Sequence, residues 1–352
     1  MSQSLDQVWP KADLEDVRRC PYCASENRTV AYSNVQDWSF NCASGKWTYW
    51  DCTNCHSLYL DPRPTLATIG SAYDKYYTHG GVASVFSLQA FKSRLKNECL
   101  SYKLKANLLP RLHLPSLFNG FVKYVGSFVH PPFGWILLSD WQKGRLMDIG
   151  CGDGRTVAWA RLQGWDAMGI EIDPAAARYA QKLGLNVLEE TYEKLSDYHQ
   201  TFDCIVCSHV LEHVHTPLDL VHRIKQALKP GGKLILTLPN AQSALRHHFG
   251  IDWRGLEAPR HIAIPSQTQL RALLTQAGFL VDYHADNYLA TAVESYRIRR
   301  RGKLISPRDL TMARQLNIVP LNTPNGNDFI KFVCTLPADV PPESAPIDRS
   351  SD

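Results

Sequence analysis

From Lys143 onward the chain alternates short apolar runs with longer stretches whose apolar residues recur at helical spacing. The runs predict strands at Leu146–Gly150, Ala167–Ile172, Asn186–Glu190, Phe202–Ser208 and Lys233–Leu238, and then at Leu280–His284 and Phe329–Leu336. Helices are predicted at Gly154–Leu162, Pro174–Leu183, Pro217–Leu228 and Gln267–Ala277. Pro174 and Pro217 stand where a first helical turn tolerates proline. Gly184, Gly231 and Gly278 follow as stop signals. Strand–helix alternation of this kind predicts an α/β domain, a mainly parallel sheet covered on both faces.

The first 142 residues read differently. Residues 1–65 are rich in cysteine and aromatics, with strand-like runs such as Trp47–Trp50, and Asp61-Pro-Arg-Pro64 closes the piece. Residues 66–142 are mostly helical in pattern, with tyrosines at Tyr73, Tyr76 and Tyr77 and a basic helix around Phe91 to Leu109. This segment is expected to shape an acceptor pocket. Its most apolar part, Leu117 to Leu138, is broken by Lys123, His130, Pro131 and Pro132. It reads as a buried helical hairpin, the alternative being a surface that docks on a membrane or a lipid-linked substrate. Prolines and acids crowd residues 337–352, for which disorder is expected. The expected division is therefore 1–65, 66–142, 143–336 and 337–352.

Composition narrows the classes. A chain of 352 residues can bury a full core and hold one large domain beside a smaller one. A formal charge of +4 is too modest, taken alone, to imply nucleic acid. Met1 to Asp16 lacks the basic and apolar regions of a signal peptide, and ten cysteines without a secretion signal point to a reducing compartment. The expected location is the cytoplasm, with peripheral membrane contact as a further expectation.

Asp148-Ile-Gly-Cys-Gly-Asp-Gly154 follows the first strand, and Glu171 ends the second. Closely spaced glycines let the backbone approach a ligand that a Cβ would exclude. A carboxylate at the end of the next strand is placed to accept ribose hydroxyls. Dinucleotide sites show G-x-G-x-x-G, but here Arg155 occupies the third glycine position and an acid precedes the first glycine. S-Adenosylmethionine carries an amine and a sulfonium rather than a pyrophosphate, and the D-x-G-x-G form favours it.

With those residues placed, the segment from about 143 to 336 resembles the class I S-adenosylmethionine-dependent methyltransferases. The matching phrases are DIGCGDG, Gly169-Ile-Glu171, Phe202-Asp-Cys-Ile-Val, His209-Val-Leu-Glu-His-Val214, Leu228-Lys-Pro-Gly-Gly232 and Thr237-Leu-Pro-Asn240. Glu257-Ala-Pro-Arg-His-Ile262 and Ala277-Gly-Phe279 resemble the ubiquinone-biosynthesis O-methyltransferase-like branch and bacterial relatives acting on glycans or lipids. The resemblance implies a doubly wound, Rossmann-like seven-stranded sheet whose last strand is antiparallel. It implies that the amides of Gly150 and Gly152 flank the methionine part of the cofactor, with Asp148, Cys151 and Asp153 nearby. Glu171 is implied on the ribose, Ile172 on the adenine, Tyr192 and Glu193 over the adenine edge, and Ser208 and His209 closing the pocket. A divalent ion on Glu212 and His213 is also compatible with it.

The acceptor is expected to be a small molecule, a sugar or a lipid-linked glycan, methylated on oxygen or carbon. Candidate bases are His261, His213 and His209, each of which could equally be structural. His261 leads, because Pro259-Arg260-His261 is expected to form a lid over the acceptor. Arg260, with Asn240 and Trp253, is a substrate-side candidate; a salt bridge from Arg260 to Glu257 or Asp252 is the alternative. An amide or DNA amino-group methylase usually shows an Asn- or Asp-Pro-Pro-aromatic loop where this chain has Cys207-Ser-His-Val. His209 to His213 also spells H-x-x-E-H, but a metallopeptidase needs that run within one long helix. An RNA methyltransferase and a non-catalytic cofactor-binding scaffold are the competing readings; the low charge weighs against the first.

Cys20-Pro-Tyr-Cys23 and Cys52-Thr-Asn-Cys55 form two C-x-x-C pairs with the spacing of a zinc ribbon. Four thiolates converging on one ion give a closed structural zinc site. Ala24 and His56 stand where glycine often follows the second cysteine, and Cys42 could replace one ligand. Cys204 and Cys207 lie on one strand with opposite facing, and read as core thiols. The run Arg297-Ile-Arg-Arg-Arg301 reads as a solvated helix face or a phosphate site.

Overall fold

The computed structural model describes residues 8–73, 118–120, 122, 138, 140–284, 289–316 and 325–338. Most of the segment expected to be helical over 66–142, the apolar stretch within it, and nearly all of the tail from 337 lie outside the described residues.

The cysteine-rich piece contains β1 (Leu14–Glu15), β2 (Arg28–Val35), β3 (Trp47–Cys52), β4 (Leu58–Leu60) and β5 (Arg63–Pro64). β2 and β3 form an antiparallel hairpin between the two cysteine pairs, and β4 returns antiparallel along β3. Beyond it come β6 (Arg145–Ile149), β7 (Asp166–Glu171), β8 (Val187–Glu189), β9 (Phe202–Ser208), β10 (Leu228–Pro239), β11 (Ala263–Ile264), β12 (Leu280–Tyr283) and β13 (Phe329–Thr335). The main sheet has seven strands in the order β12-β13-β10-β9-β6-β7-β8, with β13 antiparallel to both neighbours. The antiparallel last strand is as the sequence reading has it. β6 pairs in parallel with β7 on one side and β9 on the other. The chain therefore reverses direction across the sheet at β6, and a crevice opens at the carboxyl ends of β6 and β9.

Helices cover the sheet: α1 (Arg155–Leu162), α2 (Pro174–Lys182), α3 (Pro217–Ala227), α4 (Ala244–Phe249), α5 (Gln267–Gln276), α6 (Leu289–Arg299) and α7 (Pro307–Leu316). α3 buries Leu220, Val221, Ile224 and Ala227, the spacing of one helical face. α5 starts at Ser266, whose Oγ accepts from the Gln269 amide at 3.1 Å, and buries Leu270 and Leu274. Each such leucine contributes about 1.5–3 kcal/mol. Strand periodicity splits the core. Met147, Ile205, Leu234 and Leu236 pack on one face of the sheet, and Leu146, Val206 and Ile235 on the other. Cys204 and Cys207 go to opposite faces, as alternation requires.

A third core was not foreseen. β11, from the far end of the sequence, pairs antiparallel with β4 and completes a four-stranded sheet, β11-β4-β3-β2. Trp47, Tyr49, Leu58 and Leu60 bury together with Leu245, Trp253, Leu256, Ile262 and Tyr296. The cysteine-rich sheet is thus built partly from residues that follow β10. The basic run at the end of α6 is spent on ion pairs: Arg297–Glu294, Arg299–Asp252, Arg300–Asp309 and Arg301–Asp252. Among the described residues no helix is long and apolar enough to cross a membrane.

Candidate functional site

The glycine turn joins β6 to α1. Gly150, Gly152 and Gly154 all hold positive φ (66°, 55° and 78°), where an L side chain is disfavoured. A Cβ on Gly150 would lie 2.5 Å from Val210 Cγ2, so the end of β9 presses directly on the turn. A Cβ on Gly152 would meet nothing within 4 Å, which marks the open side of the turn. The backbone amides are already spent. Those of Gly150 and Cys151 donate to the Ile170 carbonyl, at 2.8 and 3.1 Å, and that of Gly152 to Glu171 Oε2 at 2.7 Å. The Gly150 and Gly152 amides, expected to flank the cofactor, thus donate within the protein in this structure. The amides pin the turn, and carboxylates line it.

Glu171 accepts from the Asp173 amide through Oε1 at 2.8 Å, so both its oxygens are oriented by backbone. Burial raises its pKa against those two hydrogen bonds. Asp148 is buried, and desolvation together with the charges of Glu171 and Asp153 pushes its carboxyl up to about 8. Asp153 pairs with Arg155 at 2.7 Å. Two side chains expected here stand exposed at strand ends, Ile172 after β7 and Ser208 at the end of β9. Tyr192 is half-buried with its hydroxyl 2.8 Å from Thr216 Oγ1, and Glu193 is exposed.

Past β9 the chain turns sharply. His209 is exposed and held at φ 56°, and Leu211–His213 forms one short 3₁₀ turn. This is no peptidase helix. His209 Nδ1 lies 3.2 Å from Glu212 Oε1, while Glu212 is fully buried and its Oε2 has no hydrogen-bond partner. Burial favours the neutral acid, but the His209 hydrogen bond and the neighbouring imidazoles hold Glu212 below its ordinary pKa. His213 is half-buried and packs edge-on to His261, with ring centroids 4.7 Å apart. His213 Nδ1 lies 3.0 Å from the Arg260 carbonyl and 2.9 Å from the Tyr73 hydroxyl. A carbonyl can only accept, so the Arg260 contact is a hydrogen bond when Nδ1 carries a proton; in a neutral ring that leaves the lone pair on Nε2. His261 is buried, and its Nδ1 donates to the Gly255 carbonyl at 2.7 Å. Burial holds its pKa down to about 4, against the opposing charge of Glu257, so it is neutral with Nε2 unprotonated. Ligand atoms of Glu212, His213 and His261 all lie within 4.8 Å of one another.

The lid and its substrate side chains are corrected. Residues 255–267 are buried throughout. Arg260 is 0% exposed, with Nη2 to Asp37 Oδ1 at 2.7 Å, Nη1 to Asp37 Oδ2 at 3.0 Å and Nε to Glu257 Oε1 at 3.2 Å. It cannot reach an acceptor. Breaking one side of such a pair leaves a buried charge unpaired, at about 3–5 kcal/mol. Asn240 is also committed: its amide donates to the Asn325 and Asn327 carbonyls and its Oδ1 accepts from two backbone amides. Trp253 is buried with Nε1 on Asp328 Oδ1 at 2.9 Å. All three side chains are engaged by partners within the protein. Asp37, Tyr49 and Tyr73 were missed, or noted only as pattern. No local signal links Asp37 to Arg260, which lie 223 positions apart.

The four cysteines of the two pairs do meet. Cys20 and Cys55 Sγ are 3.6 Å apart, Cys23 and Cys52 Sγ are 3.5 Å apart, and all four lie within 4.8 Å of one another. Tetrahedral zinc with bonds of about 2.3 Å needs sulfurs roughly 3.8 Å apart. The two pairs fold alike: Ala24 N donates to Cys20 O and His56 N to Cys52 O, with Ala24 and His56 at φ 57° and 59°. The non-glycine residues take the left-handed turn regardless, at about 1–2 kcal/mol each. Cys42 is not among the four; its thiol meets Asp37 and Arg260.

A family model described as a methyltransferase domain matches residues 129–284, less than half of the chain. The ubiquinone biosynthesis O-methyltransferase of Alkalilimnicola ehrlichii is 33% identical over 103 residues, 27% of this chain and 42% of that protein. Its Rickettsia prowazekii namesake is 33% identical over 120 residues, 32% of this chain and 46% of that protein. The chain thus spans under half the length of these curated relatives. A solved S-adenosylmethionine-dependent methyltransferase from Archaeoglobus fulgidus aligns with a TM-score of 0.44 at 18% identity, over 63% of this chain and 100% of that one.

Proposed function

We propose that the class I methyltransferase domain carried by this chain transfers a methyl group from S-adenosylmethionine to a hydroxyl or carbon of a small-molecule, sugar or lipid-linked glycan acceptor. One observation carries the reading. At the carboxyl ends of β6 and β7 the acidic side chains of Asp148, Asp153 and Glu171 gather around the glycine turn, and Val210, two residues before Glu212 of the Glu212–histidine cluster, presses on that turn at Gly150. The acidic turn suits a cationic nucleoside, which would supply a methyl already activated on sulfur. The O-methyl transfer in the relatives' printed name favours a hydroxyl acceptor.

The residues of this chain then have to orient the acceptor and take its proton. His213 is the best placed: half-buried, with Nδ1 anchored on the Arg260 carbonyl, which leaves Nε2 to take a proton. His261 sits behind it, too deeply buried to meet an acceptor, and Glu212 supplies the buried negative charge that stabilises a protonated imidazole. A second reading has Glu212, His213 and His261 holding a divalent cation, favoured by the unpartnered Glu212 Oε2. His213→Gln separates them from no catalysis at all. Labelled-methyl transfer into a fractionated extract is expected to fall about 10²–10⁴-fold, the range of a lost general base, with cofactor affinity unchanged. Stimulation of the wild type by added Mg²⁺ or Mn²⁺, lost in Glu212→Gln, would move the assignment to the metal. Undiminished transfer in His213→Gln would remove this residue from the chemistry.

Asp148 gives a pH test of the acidic turn. Its folded pKa of about 8 means that it is protonated at pH 7 without ligand. An ammonium or sulfonium nearby favours the carboxylate, so binding releases its proton. Affinity for S-adenosylmethionine is therefore expected to rise with pH between about 6 and 7.5, by up to tenfold per unit, and to level off above the folded pKa. Calorimetry in buffers of different ionisation enthalpy should show proton release that Asp148→Asn abolishes. Proton uptake, or a pH-independent affinity, would contradict the assignment of Asp148 as counter-ion. By the same linkage the unliganded protein loses stability as pH rises from about 4 through about 8, since the unfolded carboxyl ionises first.

A further inference from the structure

The segment that carries His261, and the carbonyl that meets His213, is gripped from the cysteine-rich piece as well as by the Ile262 amide on the Glu212 carbonyl at 2.9 Å. The Tyr49 hydroxyl lies between the Leu256 and His261 carbonyls, 2.8 Å from the latter. The Leu60 amide donates to the Ile262 carbonyl at 3.0 Å, and the Ala72 carbonyl accepts from Arg260 Nη1 at 3.2 Å. Asp37 is the centre of this grip. Its carboxylate is 1% exposed, accepts the Cys42 and Ala43 amides at 3.0 Å each, and takes both terminal nitrogens of Arg260. Arg260 in turn presents its backbone carbonyl to His213 Nδ1. Glu257 shares the guanidinium, and its carbonyl accepts the Arg260 amide at 2.9 Å.

We propose that Asp37 is a positioning residue for the acceptor site: it pins Arg260, whose carbonyl locks His213 in the Nδ1–H tautomer and so keeps Nε2 open as a proton acceptor. This deepens the reading of His213 given above and rests on it for its catalytic consequence. The Tyr73 hydroxyl, 2.9 Å from the same nitrogen, can donate or accept and so imposes no tautomer, whereas the carbonyl, having no proton of its own, can only accept. Asp37 touches neither imidazole and acts through Arg260 alone. The cysteine-rich piece is on this account half of the acceptor site rather than an appendage.

The test uses the whole protein, labelled with ¹⁵N-histidine, and reads the tautomers from long-range ¹H–¹⁵N spectra. The His213 and His261 signals are identified by their loss in His213→Gln and His261→Gln. In the wild type both are expected as Nδ1–H. In Asp37→Asn, His213 should shift wholly or partly to Nε2–H, while His261, held by Gly255, does not; the initial rate of labelled-methyl transfer should drop about tenfold or more at unchanged KM for S-adenosylmethionine. Tyr73→Phe, a mild change at a half-buried position, should leave His213 as Nδ1–H. A wild-type His213 protonated on Nε2 overturns the proposal even if Asp37→Asn does not fold. So does an unaltered tautomer in folded Asp37→Asn, or a tautomer lost in Tyr73→Phe. A tautomer shift without loss of transfer upholds the positioning by Asp37 and retires His213 as the base.

Discussion

Cys20→Ser is expected to abolish metal binding and with it the folded cysteine-rich sheet, since we propose that the four cysteines hold zinc. Zinc on four thiolates contributes about 10–16 kcal/mol to small modules, as much as the entire stability of a typical domain. The core around the cysteines is small: Val17, Cys20, Tyr22, Cys52, Cys55 and Tyr59, with Ala263. Metal analysis should give about one zinc per wild-type chain and under a tenth of that in the variant. A single thermal transition in the wild type should become broader or split, its first part at least 10 °C lower.

The consequence differs between the two halves of the site. Both cores that flank the main sheet are built, among the described residues, from position 138 onward. The glycine turn, Asp148 and Glu171 therefore keep their support, and affinity for S-adenosylmethionine should stay within about threefold. The loop from 256 to 262 loses Tyr49, Asp37 and β4 together. Methyl transfer should then fall by more than 100-fold while the cofactor still binds. Full zinc content in Cys20→Ser would rule out the four-thiolate set. A parallel loss of cofactor affinity would show that the sheet, too, depends on the cysteine-rich piece.

What the sequence made legible was local. Strand periodicity placed β6, β7, β9 and β13 within a residue or two, because burial on both faces imposes continuous apolar runs. The cofactor turn and the cysteine pairs were readable because the chemistry demands fixed spacing over a few residues. The acceptor side was not. Arg260 looked like an anion-binding group because an arginine beside a histidine in a loop usually faces solvent; its partner, Asp37, sits in an unrelated part of the chain. His261 looked like a lid residue for the same reason, although β11 beside it is a strand only by virtue of pairing with β4. Two residues of β structure carry no periodicity at all. Glu212 was visible as one letter of a metallopeptidase motif and, with His213, as a candidate ligand for a divalent ion; its burial within a 3₁₀ turn beside two imidazoles was not. α4, α6 and α7 were unassigned since their apolar faces serve the third core, whose other wall lies in the first 73 residues.

Glu171→Ala should weaken S-adenosylmethionine by about 10²–10⁴-fold, the second large effect. A ribose placed against the end of β7 would donate both hydroxyls to this carboxylate. Hydrogen bonds to a charged group are worth about 1.5–3 kcal/mol each, so two of them amount to about 3–6 kcal/mol. The carboxylate also has a second duty, since it accepts the Gly152 and Asp173 amides and so joins the glycine turn to the start of α2. Alanine removes both functions, and Glu171→Gln separates them. The amide oxygen of glutamine can keep one backbone bond and accept one hydroxyl but carries no charge, so Glu171→Gln should fall between wild type and alanine. Calorimetry with the cofactor, alongside the thermal midpoint of each variant, measures the two duties independently. A midpoint drop with undiminished affinity would mean that Glu171 only braces the turn and that the ribose lies elsewhere. Tight binding of a nicotinamide dinucleotide to the wild type would overturn the sulfonium assignment itself, because the acidic side chains around the turn disfavour a pyrophosphate and favour a cation.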